Sequence, residues 1–141
     1  ERLCEFDNIV AVKEASGDLV QITEIHSRCG DRLAILSGED ALTLPMLACG
    51  GIGTISVTAN ILPARMRDMI DAFFAGDMRR ARDLHEQLLP VTRALFIETN
   101  PIPVKTAMRE LGMAAGPLRL PLVDMAEQNK AVLLDVLKKW M

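Results

Sequence analysis

Tyrosine is absent from these 141 residues. Any mechanism that relays a proton through a phenol is closed to this chain acting alone. Cysteine is scarce and odd in number. Cys4, Cys29 and Cys49 stand far apart, with no Cys-x-x-Cys pair, which argues against both a zinc site and a disulfide framework. The default compartment is then a reducing cytoplasm. No apolar stretch approaches the ~20 residues of a membrane helix, and no signal-peptide pattern opens the chain. An excess of positive charge is missing too. The net charge of −3 makes no electrostatic case for nucleic acid or an anionic membrane.

Half of the residues are hydrophobic, enough for the core of one globular unit. The first half alternates strand and helix. Residues 8–13 read as a buried strand. Asp18 reads as an N-cap, with Gln21 three residues on completing a capping box, and a helix runs to about residue 28. Residues 33–37 form a second strand, 41–49 a short helix and 52–57 a third strand, with Gly50-Gly51 stopping the helix between them. Pro63 opens a helix with Met66, Met69, Ile70 and Phe73 on one stripe.

Such strands with crossover helices imply a parallel sheet, covered on both faces or closed into a barrel. Three strands cannot close a barrel, and an open sheet would leave two unpaired edges. The opening segment, Glu1 to Phe6, has no initiating methionine and reads as the end of a helix entering a strand. The expectation is the C-terminal part of a larger domain, with residues 1–76 as its partial α/β unit. Residues 77–141 read as a helical region. It has helices over about 77–96 (kinked at Pro90), from the Asn100-Pro101 turn to 111, and over about 124–139, with 117–122 as an extended connector.

Lys13 is the residue that points to chemistry. It ends an apolar run, Ile9-Val10-Ala11-Val12, where a turn begins. That is an expensive place for a charge. Desolvation favours a neutral amine, and such an amine attacks carbonyl carbon to form a Schiff base. The competing reading is a surface cation with its stem on the core and its head in water.

In a parallel sheet the strand ends share one rim, where α/β folds bind ligands. Here that rim carries Lys13 to Gly17, Ser37 to Asp40 and Ser56 to Asn60. Glu39 and Asp40 also suit a cap on the following helix. Gly51-Ile52-Gly53 is no phosphate loop, because it precedes a strand and lacks the third glycine. His26 and His85 stand alone as surface residues. Arg79, Arg80 and Arg82 read as a solvated helix face, and Met66 and Met69 as core packing. No metal or cofactor is implied.

Val10-Ala11-Val12-Lys13-Glu14-Ala15-Ser16-Gly17-Asp18 resembles the Schiff-base lysine motif of the dihydrodipicolinate synthase family. The same family is resembled by Leu36-Ser37-Gly38-Glu39-Asp40, by the Gly-rich strand Gly50 to Thr54 leading into Ser56-Val57-Thr58-Ala59-Asn60, by Asn100-Pro101-Ile102-Pro103-Val104-Lys105, and by Arg119-Leu120-Pro121-Leu122. These segments are in order and cover essentially the whole chain.

The resemblance implies the last three strands of a (β/α)8 barrel, followed by the family's C-terminal helices. It implies condensation of pyruvate with L-aspartate 4-semialdehyde to 4-hydroxy-tetrahydrodipicolinate, on the path to lysine and diaminopimelate. Lys13 matches the imine-forming lysine. Ile55 matches the residue whose backbone contacts pyruvate, and Gly38 lines the semialdehyde pocket. Family members are commonly homotetramers built as a dimer of dimers, and Leu19, Val20 and Cys49 fall near the weaker subunit contact. The family's proton-relay tyrosines, its threonine and its carboxylate-gripping arginine all match upstream of this chain, so the chain by itself is expected to be inert. Two other readings stand beside this one. The first is another pyruvate-dependent class I aldolase or lyase, such as N-acetylneuraminate lyase or a sugar-acid aldolase. The second is a non-catalytic barrel fragment.

Overall fold

The computed structural model describes residues 1–140. Three parallel strands, β1 (Ala11–Glu14), β2 (Ala34–Ser37) and β3 (Gly51–Thr54), form one sheet in the order β1-β2-β3. The helices are α1 (Leu19–Cys29), α2 (Thr43–Ala48), α3 (Pro63–Phe74), α4 (Met78–Ala94), α5 (Ile102–Glu110) and α6 (Glu127–Leu137). Short 3-10 turns occupy Arg2–Glu5, Gly30–Arg32, Asp40–Leu42 and Thr58–Asn60. The chain is thus α/β, with a three-stranded parallel sheet and a run of helices.

The strands are shorter than the apolar runs suggest, for identifiable reasons. Residues 8–10 stay outside β1 because the Ile9 amide turns back to the Phe6 carbonyl, and laddering starts only where Val10 O accepts from Ala34 N at 2.9 Å. β3 begins at Gly51 and stops at Thr54. Beyond it the Val57 and Thr58 amides are taken by the Asp40 carboxylate at 3.0 and 2.8 Å, so the chain turns instead of continuing the ladder.

Asp18 caps α1, accepting from Val20 N at 2.8 Å and Gln21 N at 3.3 Å. The predicted capping box is only half made, because the Gln21 amide donates to Glu14 Oε1 instead. After α2 the chain reverses at Gly50, whose φ of +98° favours glycine. A Cβ there would also come within 2.6 Å of the His26 ring. α6 starts at Glu127, three residues later than the sequence suggests. Glu98, from beyond α4, accepts from Ala126 N at 3.0 Å and Asn129 Nδ2 at 2.7 Å and so sets its first turn. α4 runs through Pro90 and ends at Ala94.

Among the described residues the sheet is covered on one face only. Ile35 of β2 packs with Ile22 of α1 and Met46 of α2, flanked by Val12, Leu19 and Cys49. On the other face Lys13 is exposed and Ile52 is 55% exposed. Met66 and Met69 of α3 are buried against Leu84 and Leu88 of α4, as their stripe predicts. The larger core joins α4, α5 and α6 through Val91, Leu95, Ile102, Val104, Leu133 and Leu137. Val57, Ile61 and Leu62, from the segment after β3, pack against it.

Candidate active site

Side chains alternate along a strand, and β1 uses this to separate two roles. Glu14 points to the buried side and Lys13 to the open side. Lys13 is therefore exposed rather than desolvated in this chain, because nothing among the described residues covers that face.

Its neighbour across the sheet explains how the stem is held. Lys13 pairs with Leu36, and Glu14 with Ser37, which brings Gly38 beside Ala15. A Cβ at Gly38 would lie 2.7 Å from Lys13 Cε and 2.7 Å from Ala15 Cβ, so only glycine leaves room for the lysine stem to lie across it. Gly38 N donates to Glu14 O at 2.7 Å. Ile55 is the first residue past β3. Its amide donates to Ser37 O at 2.8 Å, and it is 47% exposed. Lys13 and Gly38 are thus in contact, and Ile55 joins them through β2. All three stand at the carboxyl ends of adjacent parallel strands.

The rim is held by polar bonds that the sequence did not disclose. Ser37 O also accepts from Thr54 Oγ1 at 3.0 Å, and Thr54 Oγ1 lies 3.3 Å from Thr43 Oγ1. Glu14 Oε1 accepts from Ser16 N and Gln21 Nε2, each at 2.9 Å, which fixes the turn after Lys13. The hydroxyls expected on the rim serve turns. Ser16 Oγ accepts from Asp18 N and Ser56 Oγ from Ala59 N.

Only one of the adjacent acids caps the helix that follows. Glu39 accepts from Ala41 N at 3.3 Å, whereas Asp40 reaches across to Val57 and Thr58. Thr58 Oγ1 in turn meets Thr92 Oγ1 of α4 at 3.0 Å. The sequence placed Asp40 in a strand-end turn and offered it as a cap for the following helix. Its partners lie 17 and 18 residues away, beyond any local pattern.

The remaining candidates are placed plainly. Leu19 and Cys49 are half-buried against the sheet core, while Val20 is 68% exposed beside a shallow depression along α1. His26 is exposed over Gly50. His85 is half-buried on α4, and burial pulls its imidazole below the usual value of 6.5. Arg79, Arg80 and Arg82 are solvated. The three cysteines are free, but Cys4 and Cys29 meet despite their distance in sequence. A hydrogen bond to Cys29 raises the Cys4 thiol. Both line an apolar groove of about 310 Å³ beside β1, which does not include Lys13. No trio of His, Cys, Asp or Glu is arranged to hold a metal ion, and no helix is long and apolar enough to cross a membrane, among the described residues.

Comparison with known proteins bears on what this rim does. The model of the dihydrodipicolinate synthetase family matches residues 1–140. The 4-hydroxy-tetrahydrodipicolinate synthase of Methanothrix thermoacetophila is 57% identical over 139 residues, covering 98% of this chain and 47% of that protein. The crystal structure of dihydrodipicolinate synthase from Aquifex aeolicus superposes with a TM-score of 0.93 at 48% identity, covering 96% of this chain and 46% of that one. A chloride-inhibited dihydrodipicolinate synthase from Acinetobacter baumannii, complexed with pyruvate, superposes with a TM-score of 0.90 at 38% identity, covering 97% of this chain and 47% of that one. The chain spans about half the length of the curated relatives it matches.

Proposed function

Because the chain belongs to the dihydrodipicolinate synthetase family, we propose that its full-length protein is a 4-hydroxy-tetrahydrodipicolinate synthase with Lys13 as the imine-forming residue. In this reading residues 1–76 are the last three strands of a (β/α)8 barrel with their helices, and residues 77–141 are the C-terminal helical region. The open face of the sheet is the inside of that barrel, which the rest of the protein covers. The enzyme works in the cytoplasm, without a metal or cofactor.

The observation that carries the reading is the contact between Lys13 and Gly38. An amine stands at a strand end on the uncovered face, and a glycine clears the space beside it. The Lys13 amine attacks the keto carbon of pyruvate, and loss of water gives an imine. The imine draws electrons, so the pyruvate methyl loses a proton and the resulting enamine attacks the aldehyde of L-aspartate 4-semialdehyde. Ile55 offers a backbone contact to the bound pyruvate, and Gly38 lines the pocket of the second substrate. Each step moves a proton, and this chain has no tyrosine. With the family's tyrosines, threonine and arginine matching upstream, the 141 residues alone are inert or nearly so, and the relay belongs to the rest of the protein.

Pyruvate with borohydride, followed by intact mass, tests the assignment. The full-length protein gives an adduct on Lys13, and Lys13→Ala gives none. An unlabelled full-length protein overturns the Schiff-base role, and full-yield labelling of the isolated 141-residue chain overturns its inertness. Turnover with L-aspartate 4-semialdehyde against sugar-acid aldehydes separates the synthase from a related lyase.

The full-length protein assembles as a dimer of dimers, with Leu19, Val20 and Cys49 near the weaker contact. The exposure of Val20 supports this. Cys49→Asp and Val20→Asp then both halve the mass seen by sedimentation. An unchanged mass for both argues against the contact.

A further inference from the structure

We propose that Asp40 is the positioning residue of this site, holding the segment from Ile55 to Thr58 in the one place where the Ile55 carbonyl faces the substrate carried by Lys13. The inference rests on the imine reading above.

Asp40 is 5% exposed and belongs to the turn after β2, yet it does little for its own turn. Its Oδ2 accepts from two consecutive amides, Val57 N at 3.0 Å and Thr58 N at 2.8 Å. Hydrogen bonds to a charged acceptor are roughly twice as strong as neutral ones. Two of them on adjacent amides fix a peptide plane as well as a distance. At its other end the same segment is fixed by Ser37 O, which accepts from Ile55 N at 2.8 Å and Thr54 Oγ1 at 3.0 Å. Thr58 Oγ1 against Thr92 closes it from the helical side.

One backbone acceptor on this pinned segment is left over. The Val57 and Thr58 carbonyls accept from Asn60, Ile61 and Leu62 within the turn, and Ser56 O accepts from Asn60 Nδ2. The Ile55 carbonyl takes no donor among the described residues. It belongs to a residue 47% exposed on the open rim. A free carbonyl in a segment clamped on both sides is a preorganised acceptor. The hydroxyl of the carbinolamine and the protonated imine are the donors that chemistry at Lys13 would present to it. Asp40 Oδ1 is buried without a partner among the described residues, a cost that closing a turn does not require.

The test uses the full-length protein, with kinetics normalised to borohydride-trapped sites so that any misfolded fraction drops out. Asp40→Ala raises the pyruvate KM by about tenfold, the loss expected for one charged hydrogen bond, and moves the semialdehyde KM less. Asp40→Asn keeps an oxygen for both amides and brings the pyruvate KM back to within about threefold of wild type. If Asp40→Ala does not fold, Asp40→Glu serves instead. It keeps the charge but displaces it by one methylene, and it too raises the pyruvate KM. An unchanged pyruvate KM in Asp40→Ala or Asp40→Glu overturns the proposal. So does an Asp40→Asn as impaired as Asp40→Ala, because charge and not placement would then be the requirement. No adduct in the unsubstituted protein overturns the imine reading itself, and the role of Asp40 with it.

Discussion

Around the strands the fully enclosed apolar core is small, essentially Ile22, Ile35 and Met46, and the loops are held by carboxylates and hydroxyls. Across α4, α5 and α6 the core is larger and almost wholly apolar, running from Val91 to Leu137. A rim left uncovered on one face is not closed by packing, and directional bonds hold its shape. The helical half has no such constraint and supplies bulk burial. The two meet where Met66 and Met69 of α3 pack on Leu84 and Leu88 of α4, where Val57, Ile61 and Leu62 pack on the helical core, and where Thr58 meets Thr92.

The division of labour breaks or holds under four measurements, all on the full-length protein. Leu133 is 0% exposed in the helical core. Leu133→Ala is expected to lower unfolding stability by about 2–5 kcal/mol in denaturant titration, while the pyruvate adduct per folded site stays constant. If the adduct falls as well, the two regions are not separable.

Gly38→Ala should do the reverse. The new Cβ meets Lys13 and Ala15, so the lysine moves. Imine formation slows by about 10- to 100-fold in stopped-flow trapping, as expected for a reacting group misplaced by about an ångström. Normal trapping rates would show that the open rim tolerates a side chain there.

Thr92→Val keeps the shape but leaves the Thr58 hydroxyl buried without its partner, a loss of about 1–3 kcal/mol. Thr58→Val combined with Thr92→Val recovers most of that loss, because neither hydroxyl is then stranded. Additive single losses would deny that this bond couples the halves.

The smallest effect is a pH dependence on α4. Burial lowers the folded pKa of His85 below 6.5. The unfolded chain therefore binds the proton more readily, and stability falls as pH drops through about 6.5 toward the folded value. His85→Gln flattens that part of a plot of stability against pH. A wild-type slope retained in the variant would assign it to other groups.

Features that depend on near neighbours were legible in the sequence. Asp18 caps the helix beside it, Pro63 opens α3, and Met66 with Met69 faces the core, because capping, proline geometry and helical period act within a turn or two. The strand-end placement of Lys13 and Gly38 was legible for a similar reason, whereas Ile55 was read inside a strand over 52–57 and singled out only by the family resemblance. Apolar runs broken by glycine and polar residues mark where parallel strands stop. Strand lengths were misjudged because Phe6 and Asp40 draw backbone amides out of the ladder. The start of α6 was missed because Glu98 sets it from 31 residues before Asn129.

The amino-acid order by itself determined an α/β chain with an amine at the end of its first strand, since period and local chemistry need no partner. Only the tertiary structure decided what stands around that amine. It put Gly38 under the lysine stem, and it turned Asp40 away from its own helix toward amides 17 and 18 residues on. Those are contacts between separate strand ends, and their energies exist only once the sheet has brought the ends together.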